Sequence, residues 1–274
     1  MINKFFNVFS LNIFMKMGVF FVRKPVIAGN WKMFKTVSES LSFLDKIIPA
    51  CKSLHKVEII ICPTFLSLAP MAEKAKDTNI LLGAQNTHWE KEGAFTGEVS
   101  SYLISDLGIN YAIIGHSERR GYFQETDEWV NNKIKAALNF NLNPIVCVGE
   151  SLEERENGQT RKVVETQLAG GLNDIDLNQA GSIIFAYEPI WAIGTGRSAT
   201  SSDAQEVISF IRRWLSESYN METAQKVPIL YGGSVKPDNI GSLLAEKDVD
   251  GVLIGGASLK EDSFIEMVQI ANIS

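Results

Sequence analysis

The sequence predicts an α/β protein, a (β/α)8 barrel in which eight parallel strands close into one sheet inside a ring of helices. Three observations predict it. Short apolar runs of the kind buried on both faces of a parallel sheet recur eight times, each followed by a helical pattern. The 274 residues hold no second composition class and no linker, and barrels of this kind use about 250 residues as one domain. Strands alternating with helices pair in parallel through right-handed crossovers. Eight such units favour closure, although the sequence alone leaves an open doubly wound sheet as the alternative.

The elements follow in order. Val26-Ile27-Ala28 is the first strand. Thr36 opens the next helix, Glu39 completes its capping box, and Leu41, Leu44 and Ile48 fall on one face. Val57 to Ile61 is the second strand, ended by Pro63, and a helix runs from Phe65 to Lys76. Ile80 to Gln85 is the third, followed by a long polar loop, His88 to Gly97, and a short helix near Val99 to Leu107. Tyr111 to Ile114 is the fourth, and its helix carries Val130, Ile134 and Ala137. Pro144 to Val148 is the fifth, with a helix from Thr160 to Leu168. Ile183 to Tyr187 is the sixth. Ser202 and Gln205 read as a second capping box, and Val207, Ile208, Ile211 and Trp214 as an inner stripe. Val227 to Tyr231 is the seventh, with a helix from Pro237. Val252 to Ile254 is the eighth, and a last helix spans Leu259 to Ala271.

Composition narrows the function classes. Hydrophobic content of 45% and charged content of 21% fit an ordinary soluble globular protein. A net charge of -6 argues against nucleic acid as a partner. It does not exclude an anionic substrate, because local N–H groups hold a phosphate against the overall sign. Cys51, Cys62 and Cys147 are odd in number and unpaired in spacing, which implies a reducing compartment, the cytoplasm, and no disulfide framework. His55, His88 and His116 form no ligand pair, so no metal is expected, and no nucleotide fingerprint calls for a cofactor. From Met1 to Lys24 the chain is basic and acid-free, as targeting peptides are, yet it lacks a clean cleavage pattern. Asn7, Asn12 and Lys16 interrupt its apolar runs, so none reaches the roughly 18–20 residues of a membrane span. The domain reading is an extension at residues 1–22 outside the fold, which a start codon set too far upstream would explain, and a single barrel at 23–274.

In such a barrel the chemistry belongs at the C-terminal ends of the strands. After strand one stand Asn30 and Lys32, an amide and an ammonium able to neutralise an anion or a developing oxyanion; a solvated loop lysine is the plainer alternative. After strand four stands His116, followed by Ser117, a good helix N-cap residue. The positive potential of a helix start disfavours the imidazolium and favours a neutral donor, while a histidine satisfying a backbone group is the alternative. Glu118 reads as a structural ion pair with Arg119 or Arg120. Strand six ends in Glu188, and Pro189 breaks the ladder. Ile190, Trp191 and Ile193 are costly to leave in water, and Gly194-Thr195-Gly196 offers backbone N–H groups to an anion. A surface turn with a solvated acid explains that stretch equally well by itself. Gly232-Gly233-Ser234 and Gly255-Gly256 fall after strands seven and eight, where such barrels hold phosphate. Cys147, inside a strand without a basic partner, reads as a packed residue.

One carboxylate, one histidine, one lysine, one amide, a phosphate cradle and a lid suit proton transfer beside the carbonyl of a small phosphorylated substrate. These segments resemble the triosephosphate isomerase family. The resemblance rests on Gly29 to Lys32, Ala84-Gln85-Asn86, Gly93 to Glu98, Ile114 to Arg120, the Glu188 lid, Tyr231 to Ser234 and Gly255-Gly256, in family order from Arg23 onward. It implies a TIM barrel without a cofactor that interconverts dihydroxyacetone phosphate and D-glyceraldehyde 3-phosphate. By the same resemblance Glu188 is the base, His116 the electrophile, and Lys32 and Asn30 bind and polarise the substrate. Gly194, Ser234, Gly255 and Gly256 hold its phosphate, and Tyr231 and Ser234 latch the lid near Ala199 and Gly196. Glu118 and Cys147 are structural neighbours of the site. A homodimer is implied, with the loop around Thr96 entering a neighbour's pocket. Three features depart from the family pattern: the hinge Arg197-Ser198-Ala199, His88-Trp89 in the third loop, and the N-terminal extension. A metal-dependent epimerase would want clustered ligands at the strand ends, which are missing. A Schiff-base aldolase would want its lysine deep in the barrel, and Lys32 lies beyond the strand end. A phosphate-binding protein without activity would have lost Glu188 or His116, and both are present.

Overall fold

The strand segments are apolar throughout because each is covered twice, by the barrel interior and by the helices outside. The structure, a computed structural model, describes residues 23–193 and 199–274. The predicted extension at 1–22 and the lid residues Gly194, Gly196, Arg197 and Ser198 lie outside the described residues. The strands are β1 (Val26–Asn30), β2 (Glu58–Cys62), β3 (Ile80–Ala84), β4 (Tyr111–Ile114), β5 (Asn143–Val148), β6 (Ile184–Tyr187), β7 (Ile229–Tyr231) and β8 (Gly251–Ile254). They pair in chain order, all parallel, and β1 closes onto β8, with Val26 opposite both Glu58 and Gly251. The open sheet is thereby ruled out.

The helices described are α1 (Val37–Cys51), α2 (Phe65–Ala75), α3 (Ser101–Asp106), α4 (Ser117–Tyr122), α5 (Asp127–Asn139), α6 (Leu152–Glu156), α7 (Thr160–Gly171), α8 (Leu177–Ala180), α9 (Ser201–Ser218), α10 (Met221–Lys226), α11 (Pro237–Leu244) and α12 (Glu261–Ile273). Side chains alternate across each strand with period two. One set, including Ala28, Ile60, Ile113, Ile145, Cys147, Ala186, Leu230 and Leu253, fills the barrel. The other, including Ile27, Ile59, Ile61, Ile114, Phe185 and Ile254, meets the helices in the main core. At the N-terminal end of the barrel, buried Arg212 bonds Asp248 and Asp250, and Arg23 also binds Asp250. Among the described residues no helix is long and apolar enough to cross a membrane.

Several local readings change. The second capping box belongs to Thr200 and Asp203, because the helix starts two residues earlier than Ser202 and Gln205 imply. Gln205 instead bonds Asp248 across to the loop before β8. The buried face of α1 is Ser40, Phe43, Leu44, Ile47 and Cys51, with Leu41 and Ile48 at its flanks. In α9, Leu215 is buried where Trp214 was expected, and Trp214 lies partly buried beside it. Short helices α4, α6, α8 and α10 carry no apolar period long enough to announce themselves.

Candidate active site

Continuing the inward alternation past the strand ends builds the site. Ala28 faces inward, so Asn30 follows it; Ala186 leads to Glu188, Leu230 to Gly232 and Leu253 to Gly255. These residues line one cavity of about 290 Å3 together with Lys32, His116, Gly233, Ser234 and Gly256. The predicted catalytic and phosphate-holding residues that the structure describes therefore meet in one place.

His116 arrives there through a turn. Gly115 has φ +73, a left-handed backbone that glycine adopts without strain. His116, not Ser117, is the N-cap of α4, and its Nδ1 accepts the Glu118 N–H at 3.2 Å. Its Nε2 lies 3.0 Å from Glu188 Oε1, and Glu188 Oε2 accepts the Ser117 N–H at 2.9 Å. Glu188 is buried. Burial pushes its carboxyl up, but His116, the Ser117 N–H and Lys32 outweigh burial and hold it below its ordinary value. Burial pushes the His116 imidazole down, but the Glu188 carboxylate beside it wins and raises it. This corrects the expectation that the helix start alone leaves the imidazole poorly basic: with Glu188 against it, the adjacent anion dominates.

Lys32 is held at two points. Its backbone is left-handed, φ 49, with its N–H donating to Asn30 Oδ1 at 3.0 Å. Gln85 Nε2 donates to the carbonyls of Lys32 (2.8 Å) and Cys62 (2.9 Å). The ammonium bonds Glu118 Oε1 at 2.6 Å, so Lys32 is not a solvated loop residue. Glu118 accordingly does not pair with Arg119 or Arg120. Arg119 binds Glu125 and Arg120 binds Asp127, since the turn of α4 directs both guanidiniums toward α5 and the segment before it. Cys147 is buried, and burial raises its thiol well above its ordinary value, so it is a packed residue and a poor nucleophile.

The predicted lid segment begins at Pro189 and a 3-10 turn, Ile190–Ala192, and Ile193 reaches the cavity. Glu150 fixes this hinge. Its Oε1 accepts from Trp191 Nε1 (2.9 Å) and the Tyr187 hydroxyl (3.0 Å), and its backbone carbonyl accepts the Ile190 N–H. Tyr231, the expected latch, has a buried hydroxyl facing the Ala199 amide without completing a hydrogen bond to it, and burial pushes its phenol up to about 12. Thr96 stands on an exposed loop away from the cavity. Sequence reasoning overlooked Glu150 and the Gln85 clamp. The available signal for Glu150 was its place just past an apolar strand, at the barrel end where chemistry is expected.

Comparison with known proteins identifies the family. The triosephosphate isomerase family profile matches residues 25–271. A triosephosphate isomerase of Carboxydothermus hydrogenoformans is 55% identical over 248 residues, covering 90% of this chain and 99% of that protein. One from Caldanaerobacter subterraneus is 51% identical over 247 residues, covering 90% and 99%. The crystal structure of the Bartonella henselae triosephosphate isomerase superposes with a TM-score of 0.82 at 40% identity, covering 90% of this chain and 98% of that one.

Proposed function

The chain belongs to the triosephosphate isomerase family and interconverts dihydroxyacetone phosphate and D-glyceraldehyde 3-phosphate, a glycolytic reaction, and we propose that Glu188 is the base that carries it. The observation behind this assignment is the buried Glu188 carboxylate beside His116 Nε2, in the same cavity as Lys32 and the glycine ends of β7 and β8. The substrate phosphate rests against Ser234, Gly255 and Gly256, with Gly194 completing the cradle. The Gly232 N–H is already spent on the Tyr187 carbonyl at 2.7 Å, which leaves the later residues of that loop for the anion. Lys32 neutralises charge, and Asn30 holds the loop that presents it.

Glu188 leaves His116 and the Ser117 N–H to take a proton from the carbon next to the carbonyl. Without the carboxylate at its side, His116 is governed by burial and by the amides at the α4 start, and its neutral Nε2–H donates to the developing enediolate oxygen. Glu188 returns the proton to the neighbouring carbon, while His116 Nε2 gives a proton to the former carbonyl oxygen and takes one back from the former hydroxyl oxygen, which becomes the new carbonyl. The lid, from Pro189 to Ala199, excludes water while the intermediate exists.

The barrel domain is residues 23–274, which agrees with relatives covered almost end to end by about nine tenths of this chain. A second copy completes the assembly. A cavity of about 330 Å3 beside Lys32, lined by Met33, Phe65, Gln85, Asn86 and Phe123, receives the Thr96 loop of that copy. Three buried free cysteines suit a reducing cytoplasm. A coupled assay of the wild type and Glu188→Gln tests the central reading. Turnover of the wild type reduced by several orders of magnitude in the variant is expected, and unchanged turnover in the variant removes Glu188 as the base.

A further inference from the structure

We infer that Gln167, on the outer helix α7, is a positioning residue that sets where Glu188 stands. The inference rests on the reading of Glu188 as the base. The carboxylate is aimed by its own backbone, and that backbone is seated on the end of β5. The Glu188 N–H donates to Val148 O at 2.8 Å, and the Ile190 N–H to Glu150 O at 3.1 Å. Gly149 lies between these two acceptors. A Cβ built on Gly149 would fall 1.8 Å from the Glu188 carbonyl oxygen, so the two backbones abut and any shift of one is passed to the other.

Val148 and Glu150 turn their carbonyls toward β6, so Gly149 turns its N–H and C=O the opposite way, toward β4. But β4 ends at Ile114, which pairs with Val146, and its chain then turns off through Gly115. The Gly149 backbone pair would be left without a strand partner, at a cost. The Gln167 amide takes that place. Its Oε1 accepts the Gly149 N–H at 2.8 Å and its Nε2 donates to the Gly149 carbonyl at 3.0 Å. One amide supplies both contacts a neighbouring strand would make, and fixes Gly149 in position and tilt. Gln167 makes no hydrogen bond to the part of the phosphate cradle on β7 and β8.

Kinetics of Gln167→Leu, Gln167→Glu and Val164→Ala, with Glu188→Gln in parallel, test this. Val164 is buried on the same helix and has no polar side-chain group to offer Gly149, so its variant reports the effect of loosening α7. Gln167→Leu is expected to lower kcat about tenfold to a hundredfold, the scale of an ångström-sized misplacement, with KM within about twofold because the cradle is untouched. Gln167→Glu keeps an acceptor for the Gly149 N–H and loses the donor, so its kcat falls between; it decides the case if the leucine variant does not fold. Loss of kcat no greater than in Val164→Ala at matched melting temperature, or a loss confined to KM, overturns the inference. If Glu188→Gln abolishes turnover while Gln167→Leu and Gln167→Glu are unaffected, only the positioning role falls. If Glu188→Gln stays active, the base assignment falls first.

Discussion

His116 is bonded at Nδ1 by a backbone N–H and at Nε2 by a carboxylate, and the two contacts favour different protonation states. An N–H pointing at Nδ1 requires that nitrogen to carry a lone pair, which suits the neutral ring. The carboxylate at Nε2 favours the cation. Burial opposes the carboxylate, which prevails, so the imidazole of the free protein titrates above its ordinary 6.5. The prediction at this scale is an NMR titration of the ring. In the wild type the His116 midpoint lies above 6.5; in Glu188→Gln, where burial and Lys32 outweigh the remaining pull of Glu118, it lies below. A midpoint unmoved by the substitution would mean that Glu188 does not control the ring. The sequence carried the identity and place of His116 because a histidine just past an apolar strand is conspicuous. It did not carry the charge balance, because the deciding anion, Glu188, lies 72 positions away along the chain and meets the ring only once the barrel has closed.

Among the elements, strands were easier to read than helix ends, for a physical reason. A strand covered on both faces must be apolar along its whole length, so β2 reads as Glu58-Ile59-Ile60-Ile61-Cys62 and β4 as Tyr111-Ala112-Ile113-Ile114 whatever surrounds them. A helix start depends on which hydroxyl claims the N3 amide. Both Thr200 with Asp203 and Ser202 with Gln205 offer a cap, and Asp248 removes Gln205 from the competition through a contact no local pattern contains. Glu150 is hidden in the same way, since its role comes from Trp191 and Tyr187 on the next strand unit. Burial raises the Glu150 carboxyl above 4.5, and its Oε2 has no partner. A folded-state pKa raised above the unfolded value means that the group favours the fold when protonated, and this contribution is lost as pH rises through the folded value. Glu150→Gln, which cannot ionise, escapes that loss. The melting-temperature difference between Glu150→Gln and wild type should therefore move in favour of the variant as pH rises above 4.5, by a few degrees. A difference that is flat with pH, or that moves toward the wild type, would show that Trp191, Tyr187 and Arg155 fully offset the buried charge.

The whole molecule presents an apolar surface around its site that one chain leaves uncovered. Met33 is 91% exposed, Leu66 82%, Tyr122 80% and Phe123 61%, and they come from the loop after β1, the start of α2, and the end of α4 with the residue that follows it. An exposed apolar cluster of this kind marks an interaction face. Two of its members, Met33 and Phe123, also line the cavity beside Lys32, which shares Asn30, Lys32 and His116 with the cavity of the phosphate cradle. The third loop supplies a matching projection. Its residues from Glu90 to Glu98 are exposed, while its base is clasped where the His88 N–H donates to the Val99 carbonyl. A second copy inserting Thr96 would cover Met33 and Phe123 and press on the loop that holds Lys32 in its left-handed conformation, and would thereby couple assembly to catalysis through Lys32. Replacing Thr96 by arginine brings a bulky cation into a cavity that already holds Lys32 and Arg119 and whose carboxylate, Glu118, is already bonded to Lys32, and desolvating it costs more than one loop contact returns. Light scattering should show the wild type at twice the mass of the chain and Thr96→Arg at the mass of one chain. The monomer should keep its circular dichroism and lose at least tenfold in kcat, because the loop carrying Lys32 is no longer braced. A wild type already monomeric at full activity would overturn the assembly. A monomeric Thr96→Arg with unchanged kcat would leave the assembly standing and show that Gln85, Asn30 and Glu118 hold Lys32 in place without it.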